Sequence, residues 1–342
     1  CGRYDIVYED KSRMSNEEPP ITIKTECPSE FAKYDLAETL DEYGDDEIYL
    51  FFCFHFCWSS LPDRTLAAER NSTEDDVWLL MAANRSGRHR TRVCVLGKEL
   101  QPACLEHVNM FSQPVVYSCL GGGPITSDLF AWWFHHEFSP GALAINGKVA
   151  LLVEDRSYLA CNEFVSEDSR AKFLLVESTK LLPQSMWTTE KNAVQMEFRV
   201  RYAKLFFSLI LVEERSWTCQ AFLSRFTLKD VFPLLHKAWL SIRIETFERH
   251  YNELISMADD RLKRVHSADE AIEDGKLLLE LQWIAHDLGL EISDQDLVKW
   301  AYSGEVLSTA ESISDFWSEP RRERRNSDVT GNARIPSARD AA

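Results

Sequence analysis

Lys148-Val149-Ala150-Leu151-Leu152-Val153-Glu154 sets five apolar residues in an unbroken row between two charged ends. Strict alternation would mark a strand with one wet face. A continuous apolar run of strand length marks one covered on both faces, as in sheets that carry helices on each side. Lys172-Phe173-Leu174-Leu175-Val176 repeats the pattern, and both segments are expected as central strands.

Three further strand-like runs lie upstream, at Ile48–Trp58, Val77–Ala83 and Thr91–Leu96, with Asn84-Arg85-Ser86-Gly87 as the turn between the second and third. They predict an antiparallel meander. Between the meander and Lys148, Thr126-Ser127-Asp128 is a capping cluster for a helix that carries Leu129, Trp132, Trp133 and His136 at helical spacing. Gly121-Gly122-Gly123-Pro124 ends before that cap and lacks both phosphate-cradle patterns. Downstream, helices are predicted over Glu190–Val212, Thr227–Leu240, Ile244–Ile255 and Ala271–Leu288, with a last one starting at Ser293-Asp294-Gln295-Asp296. A short helix built on Phe31, Leu36 and Leu40 precedes the meander. This order specifies an α/β protein with a mixed sheet flanked by helices and a C-terminal helical appendage.

The chain has 342 residues, 45% of them hydrophobic and 27% charged, which is globular composition and excludes fibrous or wholly disordered classes. Its 38 basic residues against 55 acidic ones give a net charge of −17, so any contact with nucleic acid must be local rather than spread over the surface. No apolar run reaches membrane-spanning length, and a soluble protein with no membrane partner is expected. Nine cysteines, an odd number without tandem short spacing, read as reduced and mostly buried thiols. Residues 1 to 50 hold 14 acids against 5 bases. The expected organisation is an acidic disordered linker over 1–28, a sheet-and-helix domain over 29–257, a helical appendage over 258–317 and a basic disordered tail over 318–342. The start at Cys1, with neither an initiator Met nor a secretory signal, is expected to reflect a fragment of an intracellular protein.

Few residues form a chemical constellation. Glu154 and Asp155 sit together at the end of the apolar strand, where adjacent acids either belong to an ordinary strand-end loop or ligate a hard cation such as Mg²⁺. A two-cation phosphoryl-transfer centre needs further carboxylates from the first strand, and Leu50-Phe51-Phe52-Cys53-Phe54-His55-Phe56-Cys57-Trp58 contains none. Cys53, His55 and Cys57 share a face by period-two alternation, but zinc needs a fourth ligand and none is evident. His135 and His136 point about 100° apart on a helix and do not converge. Arg199, Arg201 and Lys204 around Tyr202 approach a basic-aromatic platform for single strands, but the pattern fits the exposed basic stripe of an amphipathic helix better. Arg321, Arg322, Arg324 and Arg325 form a basic cluster suited to nuclear import or to an acidic surface.

The order of these pieces resembles the DDE-type transposase-derived domain of the Jerky, Tigger and centromere protein B (pogo-like) family. The resemblance rests on Ile48-Tyr49 followed by Leu61-Pro62-Asp63-Arg64-Thr65-Leu66-Ala67, and on Leu80-Met81-Ala82-Ala83-Asn84-Arg85-Ser86-Gly87 with Val95-Leu96-Gly97-Lys98. Pro114-Val115-Val116-Tyr117, Thr126-Ser127-Asp128-Leu129-Phe130 and Trp133-Phe134-His135-His136-Glu137-Phe138-Ser139-Pro140 resemble the Jerky branch in particular. Thr227-Leu228-Lys229-Asp230, Ala238-Trp239, Glu245-Thr246 and Ile292–Trp300 continue it. The similarity covers about residues 29 to 302. It implies an RNase H-like fold and an ancestral Mg²⁺-dependent DNA cleavage and strand-transfer reaction.

Carried over position by position, the family's first catalytic acid falls on Phe52, with Cys53, Phe54 and His55 in place of the rest of its Asp-Glu-Thr-Gly stretch. The second falls on Glu154, followed by Asp155. Counting back from Tyr202 places the third on Lys191, and counting forward from Phe173-Leu174 places it on Met186, with Glu190 beside the former. A Phe cannot ligate a cation and a Lys repels one, so the resemblance implies a domesticated, catalytically inactive domain that has lost Mg²⁺ and needs no cofactor. It would be a nuclear protein with protein partners or a second copy of itself. DNA contact would come through helix-turn-helix modules upstream of this sequence, or weakly through the basic residues named above. The competing expectation is a residual metal-dependent nuclease using Glu154, Asp155 and Glu190.

Overall fold

The computed structural model describes residues 36–59, 76–120, 125–154, 169–176, 193–213, 222, 225–258, 268–288 and 292–303, all within a unit running from Tyr34 to Ala342. The linker over 1–28 and the tail over 318–342 lie outside the described residues.

A six-stranded mixed sheet forms the centre, with spatial order β4-β3-β2-β1-β5-β6. After helix α1 (Leu36–Asp41), strands β1 (Ile48–Cys57), β2 (Asp76–Asn84) and β3 (Val93–Gly97) make the antiparallel meander. Strand β5 (Val149–Glu154) pairs parallel to β1, with Leu50 opposite Leu152, and β6 (Ala171–Val176) pairs parallel to β5. The apolar run in β5 has the predicted cause, since alternate side chains feed two cores. Ala150 and Leu152 enter one, and Val149, Leu151 and Val153 the other. β1 divides in the same way, with Leu50, Phe52, Phe54 and Phe56 on the first face and Tyr49, Phe51 and Cys53 on the second.

Two expectations about the sheet need correction. β6 is an edge strand, not a central one, and its Lys172 is exposed. Strand β4 (Val115–Cys119) was not predicted. It lies parallel to β3 as the opposite edge, and only Val115 of its five residues is fully buried, so its pattern carries little strand signal.

The second face is covered by the aromatic segment after β4. One continuous helix was predicted there; the chain instead forms α2 (Ser127–Trp133), a π-helical turn (Phe134–Phe138) and α3 (Ser139–Leu143). Thr126 caps α2 by accepting the Leu129 N–H at 3.3 Å. Pro140 lacks the N–H that a continuing α-helix would direct at the His136 carbonyl, and a wider turn before it relieves that conflict. The irregularity lets Phe130, Trp133, Phe134 and Phe138 all enter the core.

The first face is covered by α4 (Ala193–Glu213), α5 (Leu228–Ser241), α6 (Ile244–Ala258), α7 (Ala268–Asp287) and α8 (Asp294–Ser303). Helix α4 is central, packing against α5, α6, α7 and α8. Asp230 accepts both the N–H and the hydroxyl of Thr227 at 2.9 Å, fixing the start of α5. Ser293 and Asp296 form the corresponding box at α8. Leu277, Leu278, Leu281 and Ala285 of α7 and Leu297, Trp300 and Ala301 of α8 join the same core as α4 and α5. Trp133 and Trp239 are fully buried, and at about 150–250 Å² of ring surface each such burial contributes at most about 4–6 kcal/mol of transfer free energy.

The meander is fastened to the helical layer through its turn. Gly87 has φ +66°, and Arg90 donates to the carbonyls of Trp239 at 2.6 Å and Ile242 at 2.7 Å, the last turn and C-cap of α5. The Trp239 indole N–H returns a bond to the Thr91 carbonyl at 3.0 Å. Buried carbonyls at a helix C-terminus need donors, and a guanidinium supplies two at once.

Candidate functional site

Strands β1 and β5 lie side by side, so the positions implied for the first two catalytic acids are neighbours in space. Leu50 pairs with Leu152, and two residues further along each strand stand Phe52 and Glu154. Phe52 points into the first core and is 2% exposed. Its ring meets those of His250 at 5.1 Å, Trp239 at 5.8 Å and Phe247 at 6.0 Å between centroids. Helices α5 and α6 therefore close over this point of β1, and the aromatic cluster fills it. Phe52 has no oxygen to offer a cation and sits among rings rather than carboxylates, so this position does not fit Mg²⁺.

Glu154 is the last residue of β5 and pairs with Val176 of β6. Asp155, Met186, Glu190 and Lys191 lie outside the described residues, as do Arg321, Arg322, Arg324 and Arg325. Among the described residues no group of three or more His, Cys, Asp or Glu side chains is placed to hold a metal ion. Cys53 is buried in the second core, whereas His55 is exposed and its Nε2 lies 3.3 Å from Asp76. His136 bonds the Trp132 carbonyl at 2.8 Å and stacks on the Trp132 ring, and His135 meets Phe134 edge-on.

The exposed basic stripe expected on α4 is not formed. All eight residues from Ala193 to Val200 are buried, because this helix runs beneath four others. Arg199 is 6% exposed, and burial lowers its pKa to about 10. Arg201 is paired with Glu197, and Lys204 with Glu280 of α7. The three cations do not make a shared surface for phosphates; Arg201 pairs within α4, and Lys204 ties α4 to α7.

The polar centre of this layer went unpredicted. Glu197, with 0% exposure, accepts from Arg201 Nε at 2.7 Å, from the Arg243 backbone N–H at 3.0 Å, from the Arg243 guanidinium at 3.2 Å and from the Thr246 hydroxyl. Burial alone would raise the carboxyl's pKa, but the Arg243 hydrogen bonds, the Arg201 charge and the Thr246 bond outweigh it and hold the group below its ordinary value. Glu197 and Arg201 stand four apart on one helix, which is the single local signal of the network; Arg243 and Thr246 are 46 and 49 residues away.

A second polar cluster lies at the other end of β1. A cleft of about 530 Å³ is lined by Asp45, Asp46, Arg85, Arg88, Glu248 and Asn252, among others. Arg85 bonds Asp45 at 2.7 Å and lies 4.2 Å over the Tyr251 ring, and Ser86 donates to Asp46. These bonds fasten the hairpin turn to the loop before β1, and the cleft's mixed charges select neither sign of ligand.

The sheet order, with three antiparallel strands followed by parallel strands and helices on both faces, defines an RNase H-like α/β protein. Residues 74–251 match the DDE superfamily endonuclease family, and the chain belongs to it. That match starts after β1 and Phe52, and it includes Glu154 and positions 186, 190 and 191. Among curated relatives the chain is similar to the Jerky protein of Mus musculus, 24% identical over 205 residues, which is 57% of this chain and 34% of that protein. It is similar also to the Jerky protein homolog of Homo sapiens, 27% identical over 154 residues, 44% of this chain and 24% of that one. The chain thus matches about a third of the first relative's length and about a quarter of the second's. No solved structure matches it.

Proposed function

We propose that this chain is a domesticated, catalytically inactive member of the DDE family that works in the nucleus as a protein-interaction or dimerisation module. The observation that carries this reading is Phe52. The site implied for the first metal-binding acid is occupied by a buried ring in contact with Trp239, Phe247 and His250. Two-metal strand cleavage needs carboxylate oxygens at that point to hold a cation against the scissile phosphate, and an aromatic ring supplies none. The family membership and the likeness to Jerky proteins support descent from a transposase. Attachment to DNA would come through a helix-turn-helix region elsewhere in the full protein, and no metal or other cofactor is required.

The test is calorimetric titration of the chain with Mn²⁺, with Glu154→Ala as control, paired with a plasmid-nicking assay in Mg²⁺. The reading expects neither stoichiometric Mn²⁺ binding nor cation-dependent nicking. Binding and nicking that both vanish in Glu154→Ala would establish a residual nuclease instead.

A further inference from the structure

Helix α7 turns Leu277, Leu278, Leu281 and Ala285 into the core and leaves Leu279 43% and Trp283 68% exposed. Single exposed apolar side chains are ordinary on a protein surface. These two stand one turn apart and adjoin, and a tryptophan left mostly in water forgoes a large part of its burial energy. At about 100° per residue, Lys276, Trp283 and Asp287 fall within about 40° of one another on the side away from the core, with Leu279 about 40° to the other side of Trp283. Lys276 and Asp287 are exposed as well. Glu280 borders this stripe on one flank, already paired with Lys204 of α4, and His286 borders it on the other. The outer face of α7 is therefore an apolar pair with a cation towards one end and an anion at the other.

Such a face is complementary to itself when reversed. We infer that it is a homodimer contact, in which α7 packs antiparallel on α7 of a second copy across a two-fold axis. With the axis level with Leu281 and Gln282, Leu279 of each copy lies beside the partner's Trp283, and Lys276 of each lies opposite the partner's Asp287. The apolar centre is then closed at both ends by an ion pair. Lys276 and Asp287 are eleven residues apart, about 16 Å along a helix, so the two ion pairs frame both tryptophans.

Charge selects both the occupant and its direction. A two-fold contact sets one patch against itself; a parallel pair would bring Lys276 onto Lys276 and Asp287 onto Asp287, whereas the antiparallel pair joins opposite charges. Asp287 is also the last residue of α7, where the helix dipole disfavours an anion and favours a cation brought by the partner. One helix face is smaller than the roughly 800 Å² per partner of a standard interface, so the contact is weak and concentration-dependent. The inference rests on the interaction-or-dimerisation reading proposed above and gives it a surface, one that contains none of the positions implied for catalysis.

Sedimentation of the full chain tests it, at loading concentrations up to about 200 µM, which populate contacts of micromolar affinity. The chain should form dimers that Trp283→Ser weakens at least about tenfold. Lys276→Glu sets acid against acid and Asp287→Lys sets base against base, so each variant alone should dimerise severalfold more weakly. An equimolar mixture of the two should restore dimers, since every end contact then joins opposite charges, and that restoration also shows both variants to be folded. Orientation is read with a photo-crosslinking phenylalanine analogue at position 279, which should join residues 280–287 of a second molecule. A chain that stays monomeric throughout, dimers that none of these substitutions alters, or crosslinks only to another segment would overturn the inference. A monomeric chain would leave catalytic inactivity standing, because the Mn²⁺ and nicking assays decide that separately.

Discussion

Phe52 of β1 and His250 of α6 face one another with ring centroids 5.1 Å apart and 42° between their planes, both buried in the layer where the sheet meets its helices. The contact locks a helix of the family's C-terminal part onto the strand that would otherwise carry an acid. Restoring that acid alone is therefore expected to damage the fold before it restores chemistry. Phe52→Asp should lose about 4 kcal/mol or more of stability, the cost of burying an unpaired carboxyl and emptying a ring-sized space. Phe52→Leu should lose about 1 kcal/mol. Thermal unfolding of the two variants, with Mn²⁺ titration of the Asp form, checks this. An Asp variant as stable as the Leu variant would mean that the aromatic cluster is not closed as described.

The Glu197 network predicts a different response. Removing its charge with Glu197→Gln leaves Arg201 and Arg243 facing a neutral amide inside the helical layer, and about 3–5 kcal/mol of stability should be lost. Replacing Glu197, Arg201 and Arg243 together by apolar residues of similar size should cost much less, because the penalty comes from an unmatched buried charge. Chemical denaturation of the single and triple variants separates the two cases. The network also sets an acid limit. The folded carboxyl titrates below its ordinary value, so its contribution is complete above the unfolded pKa and disappears as pH falls through the folded one. Acid unfolding below about pH 4 should therefore be blunted in the triple variant.

Much of the sheet was legible because its signals are local. The unbroken run Val149–Val153 announced a two-faced strand, and Asn84–Gly87 announced a hairpin whose Gly87 does adopt positive φ. β4 was not legible, since four of its five residues are only partly buried and no periodicity separates them from loop. The character of α4 was misjudged for a related reason. Arg199 and Lys204 look solvated in sequence, yet the burial of the first and the pairing of the second depend on the helices that cross α4 and on Glu280, which no local pattern encodes. At the implied catalytic positions, chain order was enough to single out Phe52, because identity alone removes the ligand. What replaces the ligand is set by Trp239, Phe247 and His250, almost two hundred residues away in the chain, and only the fold brings them there.

Gly87 should tolerate no side chain. A Cβ there would lie 3.0 Å from the Phe247 ring and 3.3 Å from the Ile244 Cα, on a backbone with φ +66°. Gly87→Ala is expected to cost about 1–2 kcal/mol from the left-handed conformation alone, with the close approach to α6 adding to it. Equilibrium denaturation measures the loss, and Gly87→Asn, whose side chain tolerates this backbone region better, should lose less from the backbone than Ala while meeting the same wall. Equal stability of all three chains would show that the turn is free to move away from α6.

His89 provides the last prediction, a pH dependence above the range of the carboxyl groups. Its Nδ1 lies 2.7 Å from the Tyr49 hydroxyl, which also accepts from Asn146 Nδ2 at 3.1 Å. The hydroxyl has one proton to give, and donating it to Nδ1 requires a neutral imidazole, the form that burial favours. Burial lowers the His89 pKa below its ordinary value of 6.5, and it raises that of Tyr49. A group whose folded pKa is depressed supports the fold fully above its unfolded pKa and loses that support as pH falls through the folded one. The chain should thus become less stable as pH drops from 7 towards 5, and His89→Gln should flatten part of this slope. The His89 ring resonance, followed by NMR, should titrate below 6.5. A midpoint at or above that value would show the imidazolium to be accepted in place, and the Tyr49–His89–Asn146 chain would then have to run in the opposite direction, with His89 as donor.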